Sequence, residues 1–165
     1  MKIAFVTNGL GLGGAERQLL LLIQHIQQAG HTCQVISLGR GNTLLEAYRQ
    51  ASISVTEVMP QSHKFSPAKV IALRRTLQEF GPDIVQGWMY YGNVMATLAT
   101  RLQTPKPILV WGMRGMSGTL PNVDFSMRLL HKVGALLAGR ADAIIHNSEA
   151  SVTAHVSALG YPSHN

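Results

Sequence analysis

Ile3-Ala4-Phe5-Val6-Thr7 runs directly into Asn8-Gly9-Leu10-Gly11-Leu12-Gly13-Gly14, and a helical pattern follows from Ala15 to Ala29. The first run is apolar at every position but the last, as a strand buried on both faces must be. In the third, Ala15, Leu19, Leu22, Ile23 and Ile26 fall on one stripe at i, i+4, i+7, i+8 and i+11. Gly30 lies just past its end, where a left-handed cap is wanted. Strand, glycine loop and helix in that order form the first half of a βαβ unit, and the rest of the chain repeats the alternation.

Working outward, the spacing predicts strands at 32–38, 53–58, 83–86, 107–111 and 143–146. Helices are predicted at 43–50, 67–80, 93–102, 124–137 and 149–159, with Pro67 at a first helical position and Gly81-Pro82 as a stop. Short strands separated by helices define an α/β chain with a doubly wound, mostly parallel sheet in three α/β/α layers. Ligands in such sheets sit beyond the carboxyl ends of the strands. The loops to watch are therefore 8–14, 87–92, 112–118 and Asn147-Ser148. The Gly/Met-rich stretch 112–122 is long for a strand-to-helix turn, which points to a functional loop.

The length of 165 residues suits one domain, and 46% hydrophobic residues supply its core. A net charge of +6 fits anionic partners: phosphates, lipid headgroups or nucleic acid. No nucleic-acid recognition module is visible, so that partner is not expected. The single cysteine, Cys33, excludes an internal disulfide and a Cys-rich zinc site. The seven histidines show no metal-ligand spacing, so no metal is expected. His25, His131 and His155 are expected on helix surfaces. No apolar stretch approaches the roughly 20 residues of a membrane span. The expected location is the cytoplasm, with membrane contact only at a surface. Hydrolase chemistry has no support, because neither a Ser/His/Asp set nor a G-x-S-x-G elbow is present.

Gly9, Gly11 and Gly14 satisfy G-x-G-x-x-G between a strand and a helix. Residues without side chains admit close backbone approach, and free N–H groups at a helix start favour an anion, so a nucleotide phosphate is the natural guest. A dinucleotide site also wants an acidic residue after the second strand. Residues 34–41 offer only Arg40, which disfavours NAD and leaves NADP open. Glu16 favours the helix dipole by about 0.3–1 kcal/mol, yet its charge competes with a pyrophosphate at the same end. A merely tight turn remains the plain alternative.

Gly13-Gly14-Ala15-Glu16-Arg17-Gln18 and the leucine-rich helix after it resemble the amino-terminal signature of retaining glycosyltransferases of the GT-B fold, family 4. Ala29-Gly30-His31, Pro82-Asp83-Ile84-Val85-Gln86 and Gly139-Arg140-Ala141-Asp142-Ala143-Ile144, leading to Asn147-Ser148-Glu149, are similar to segments of those enzymes in the same order. The resemblance implies that residues 1–165 form a single Rossmann-like domain, the amino-terminal (acceptor) half of a two-domain enzyme whose carboxy-terminal domain holds most of the donor. The intact enzyme would transfer a sugar from a nucleotide-sugar donor to the hydroxyl of a glycan or lipid-linked acceptor. It would do so without a metal or other cofactor, and this half alone would be inactive.

By the same resemblance Gly13 and Gly14 approach the donor diphosphate. Arg114 stands nearest the place where many members carry a histidine, and it would steady the departing diphosphate, since arginine does not act as a base at neutral pH. Gln86 likewise stands where histidine is common. Trp88, Tyr90, Tyr91 and Asn93 on the functional rim, with Asn147 and Ser148, are the expected acceptor-binding residues; packing between helices is the plain alternative for Trp88 and Tyr90. Two other classes fit the same loop: an NADP-binding oxidoreductase domain and a non-catalytic sugar- or phosphate-binding module.

Overall fold

The structure is a computed structural model, and it describes residues 1–39, 41–59, 65–115 and 124–162. Its elements are β1 (Lys2–Thr7), α1 (Gly14–Gln28), β2 (Thr32–Ser37), α2 (Leu45–Gln50), β3 (Ser54–Glu57), α3 (Pro67–Phe80), β4 (Ile84–Trp88), α4 (Met89–Thr100), β5 (Ile108–Met113), α5 (Phe125–Ala138), β6 (Ala143–His146) and α6 (Glu149–Leu159). The strands form one sheet in the order β3-β2-β1-β4-β5-β6. Every pairing is parallel. The order reverses between β1 and β4, so their carboxyl ends flank the crevice where doubly wound sheets take ligands.

Side-chain alternation along the central strands builds two cores. Ile3 and Phe5 of β1 join Cys33, Val35, Leu19, Ile23 and Tyr48 beneath α1 and α2. Ala4 and Val6 join Val85, Leu73, Leu77, Met95 and Trp111 on the opposite face, beneath α3 and α4. The helices carry local stop and start signals. Ser66 accepts the Lys69 N–H at 3.2 Å ahead of Pro67, and Gly81 closes α3 at φ 64°. Asp124 accepts the Met127 N–H at 2.8 Å to start α5. Each such cap contributes about 1 kcal/mol.

Asp83 and Asp142 lie at the opposite end of the sheet from the ligand rim. The Asp83 carboxylate accepts the Lys2 N–H at 2.7 Å, and the Asp142 carboxylate accepts the Leu109 N–H at 2.8 Å. Each ties the start of one strand to its neighbour. Their work is structural.

Most boundaries shift by a residue or two from the sequence expectation, and three at the ligand rim shift in ways that matter. The strand predicted at 83–86 runs on to Trp88, and the helix predicted from 93 begins at Met89, so no loop 87–92 exists. The glycines there serve close approach rather than a turn. A Cβ on Gly87 would lie 2.5 Å from the Asn93 Cα, and one on Gly92 would run into the Val6 carbonyl oxygen. Met89 absorbs the sharp change of direction with φ 64°, a left-handed conformation that is costly outside glycine. Likewise β5 extends to Met113, because Gly112 pairs with Trp88 and leaves room for its indole.

Candidate functional site

The glycine loop leaves β1 at the crevice. Gly13 occupies the N-cap position of α1 in an extended conformation, and among the described residues no side chain caps the helix there. The first amides of a helix lack intrahelical acceptors, so this exposed end offers donors and partial positive charge. Among the described residues Gly14 has nothing within 4 Å of the place a Cβ would take. Glu16 folds back so that its carboxylate lies against Gly13. The negative charge foreseen as a competitor for an anion is thus at the same helix end.

Trp88 and Arg114 bring three elements to that point. The Trp88 indole N–H donates to the Ala15 carbonyl at 3.1 Å, fastening the end of β4 to the first turn of α1. The Arg114 guanidinium lies 4.6 Å from the centre of the same indole, a cation–π distance. Register places Trp88 opposite Gly112, so Gln86, Trp88, Gly112 and Arg114 share the sheet face that α1 covers. Arg114 Nε and Gln86 Nε2 are both buried donors with no partner among the described residues. Burial pulls the guanidinium below its ordinary value, but arginine remains a cation at neutral pH.

The residues expected to touch an acceptor divide into two groups. Trp88, Tyr90 and Asn93 are buried. Asn93 receives the Gly112 N–H on Oδ1 at 3.3 Å and donates to the Met113 sulfur at 3.0 Å, so it supports the strand that delivers Arg114. The Tyr90 ring centre is 4.4 Å from that of His131, and its hydroxyl meets His155 Nε2 at 2.9 Å. Tyr91 is half-buried; its hydroxyl has no partner among the described residues, and burial raises its pKa. Asn147 and Ser148 are exposed and border a cavity of about 480 Å³ with His146, Glu149, Ile144 and Pro162. The Ser148 hydroxyl also caps α6 by accepting the Ser151 N–H at 3.2 Å. Met113 pairs with His146, so Arg114 and Asn147 leave adjacent strands side by side.

The histidine expectation is corrected for two residues. His25 is on the surface, but His131 and His155 are buried. His155 Nδ1–H donates to the Ser151 carbonyl at 2.6 Å, which leaves Nε2 to accept from Tyr90. Burial, with His155 nearby, lowers the pKa of both His131 and His146. A helical spacing alone does not say which side of α5 or α6 meets a neighbouring helix. Among the described residues no group of His, Cys, Asp and Glu is placed to hold a metal ion. Arg40, on which the NADP alternative rests, lies outside the described residues, as do 116–122 of the long loop. The sequence reading missed Asn42, which holds the glycine loop through the Leu10 N–H; an asparagine directly after Gly41 was the available signal.

An open, all-parallel sheet whose order reverses between β1 and β4, with the start of α1 and Arg114 near its carboxyl rim, defines a doubly wound α/β domain. The profile of glycosyltransferase family 4 matches residues 12–165, and the chain belongs to that family. The fold is that of solved enzymes of similar architecture. HepE (Alr3699) of Anabaena, solved in complex with UDP, superposes with a TM-score of 0.75 at 22% identity, covering 99% of this chain and 42% of that one. A glycosyltransferase from Rickettsia africae gives 0.68 at 14% identity, covering 98% and 40%. The calicheamicin glycosyltransferase CalG4 gives 0.51 at 16%, covering 96% and 42%. The chain thus spans about two fifths of the length of these structures. No curated protein matches the sequence closely enough to count as a relative.

Proposed function

We propose that this domain is the amino-terminal, acceptor-binding half of a two-domain glycosyltransferase, and that it contributes diphosphate contacts to a nucleotide-sugar donor. The observation that carries the reading is the pair of buried donors, Arg114 Nε and Gln86 Nε2, that have no partner among the described residues, on the sheet face covered by α1, whose own start no described side chain caps. An unsatisfied buried donor costs about 1–3 kcal/mol, which an oxygen-rich anionic ligand would recover. UDP bound to HepE, a structure with this fold, supports a nucleoside diphosphate as that ligand.

In the reaction the bond between the sugar's anomeric carbon and the diphosphate oxygen breaks, and an acceptor hydroxyl oxygen forms the new one while its proton passes to the departing diphosphate. Negative charge then gathers on the leaving diphosphate. Arg114 and the α1 amides of Gly14 and Ala15 are preorganised to meet it, and such placement is worth several kcal/mol in a site sheltered from water. Trp88 holds both parts in register. Asn147 and Ser148, beside the cavity at the end of β6, are the acceptor contacts, with Tyr91 at the rim and Tyr90 and Asn93 as support behind it. No cofactor or metal enters this scheme.

A glycan or lipid-linked acceptor fits, and α5 supports the lipid-linked form. Phe125 is 81% exposed and Leu136 83%, and both share one stripe with exposed Leu129 and Lys132. An apolar and basic helix face suits peripheral contact with an anionic membrane. No helix among the described residues is long and apolar enough to cross one.

Gly14→Val tests the function in the two-domain enzyme. The site of the new Cβ is open, so the fold should persist while the side chain blocks the diphosphate. Transfer from a nucleotide sugar should fall at least 100-fold, or about 2.7 kcal/mol of barrier. Unchanged transfer would remove the loop from the mechanism.

A further inference from the structure

Resting on the diphosphate reading, we infer that Asn42 is a positioning residue that locks the glycine loop in its ligand-ready shape, with Glu57 as its anchor. The loop carries Gly9, Gly11, Gly13 and Gly14 within seven residues, and glycine-rich backbone gives up much conformational freedom on being fixed. Something must hold it. Leu10 is the fixed point: its side chain is fully buried, and both its backbone groups are engaged from the loop after β2. Its N–H donates to Asn42 Oδ1 at 3.0 Å, and its carbonyl accepts the Leu44 N–H at 2.8 Å.

Asn42 is itself orientated without ambiguity. Oδ1 also accepts the Ser37 hydroxyl at 2.9 Å, while Nδ2 donates to the Glu57 carboxylate. A flipped amide would set N–H against N–H at Leu10 and oxygen against carboxylate at Glu57. Ser37 ends β2 and Glu57 ends β3, so one side chain ties the exit of β1 to the exits of β2 and, one strand further out, β3. Gly39 completes the seat: a Cβ there would run into the Asn8 carbonyl. None of these groups reaches the uncapped start of α1. The clamp acts through the loop, by removing in advance the disorder that ligand binding would otherwise have to remove.

The test reverses the donor and acceptor. Asn42→Ala removes the clamp. Asn42→Asp keeps an oxygen for Leu10 but sets a second carboxylate against Glu57, whereas Asn42→Asp with Glu57→Gln restores a donor facing an acceptor. Amide exchange and pyrophosphate titration are measured on all four chains, with the Val6 and Val35 amides reporting that the sheet is intact.

Losing the clamp should cut Leu10 amide protection about tenfold, the worth of one such bond, and weaken pyrophosphate binding severalfold. The swapped pair should regain both. Unchanged Leu10 protection in Asn42→Ala, or no recovery in the swapped pair, overturns the clamp. If the unsubstituted chain binds pyrophosphate and Asn42→Ala binds it equally well, the positioning role alone falls. If the unsubstituted chain does not bind pyrophosphate, the diphosphate reading falls and takes this role with it.

Discussion

Replacing Trp88 by phenylalanine probes the joint on which the site is built. The indole is 1% exposed, within the core beneath α1, and it makes two specific contacts: the N–H to the Ala15 carbonyl and the face beneath Arg114. A phenyl ring buries about 40 Å² less apolar surface, worth about 1 kcal/mol at the usual coefficient. The lost hydrogen bond costs about another 1 kcal/mol, and a weaker cation–π contact about 0.5 kcal/mol. The expected destabilisation is therefore about 2–3 kcal/mol, or about 5–10 °C in melting temperature for a chain of this size. Urea denaturation followed by circular dichroism reads it directly. Combining Trp88→Phe with Arg114→Met should show a coupling of about 0.5–1 kcal/mol, because the two side chains touch. A loss below 1 kcal/mol with additive effects would refute the claim that Trp88 joins α1, β4 and Arg114.

Other outcomes follow from the same geometry. Glu16→Gln removes a negative charge from the start of α1, so pyrophosphate should bind about fivefold more tightly by calorimetry, a gain of about 1 kcal/mol; equal or weaker binding would place the anion elsewhere. Gly92→Ala drives a Cβ into the Val6 carbonyl at the sheet centre. Since neither backbone can swing aside, it should cost about 3 kcal/mol in a denaturant titration; a loss under 1 kcal/mol would contradict the close approach. The lowered pKa values of His131 and His146 set the sign of the pH dependence. The native state resists protons that the unfolded chain accepts near pH 6.5, so stability is full above that pH and declines as it falls further. Melting temperature should drop between pH 7 and 5, with a shallower slope in His131→Leu; a flat profile would contradict their burial.

The sheet and its helices were legible because the central strands are largely apolar on both faces and α1, α3 and α5 are striped. In α4 nine of 12 residues are buried, because sheet, α3 and α5 surround it. Its start was misplaced for that reason, and because Gly87 and Gly92 look like loop residues in sequence. Only the crossing of Val6 and Asn93 shows that they mark backbone contact. The glycine loop and Arg114 could be placed on the rim by counting strands. The partner of Arg114 could not, since the contact with Trp88 depends on register between β4 and β5. Aromatic and amide side chains at 88, 90 and 93 had the chemistry of a sugar site, but their hydrogen bonds turn inward. Asn42 was hidden by distance in sequence: its partners stand at 10, 37 and 57.

Pyrophosphate titrated into the isotopically labelled chain, read by amide and arginine side-chain resonances, tests the central claim most directly. The account predicts that the Gly14, Ala15 and Glu16 amides and Arg114 Nε–H shift together along one binding curve, while residues at the far end of the sheet, such as Asp83 and Asp142, stay still. Shifts confined to scattered surface lysines and arginines, with Gly14 and Arg114 unmoved, would contradict it.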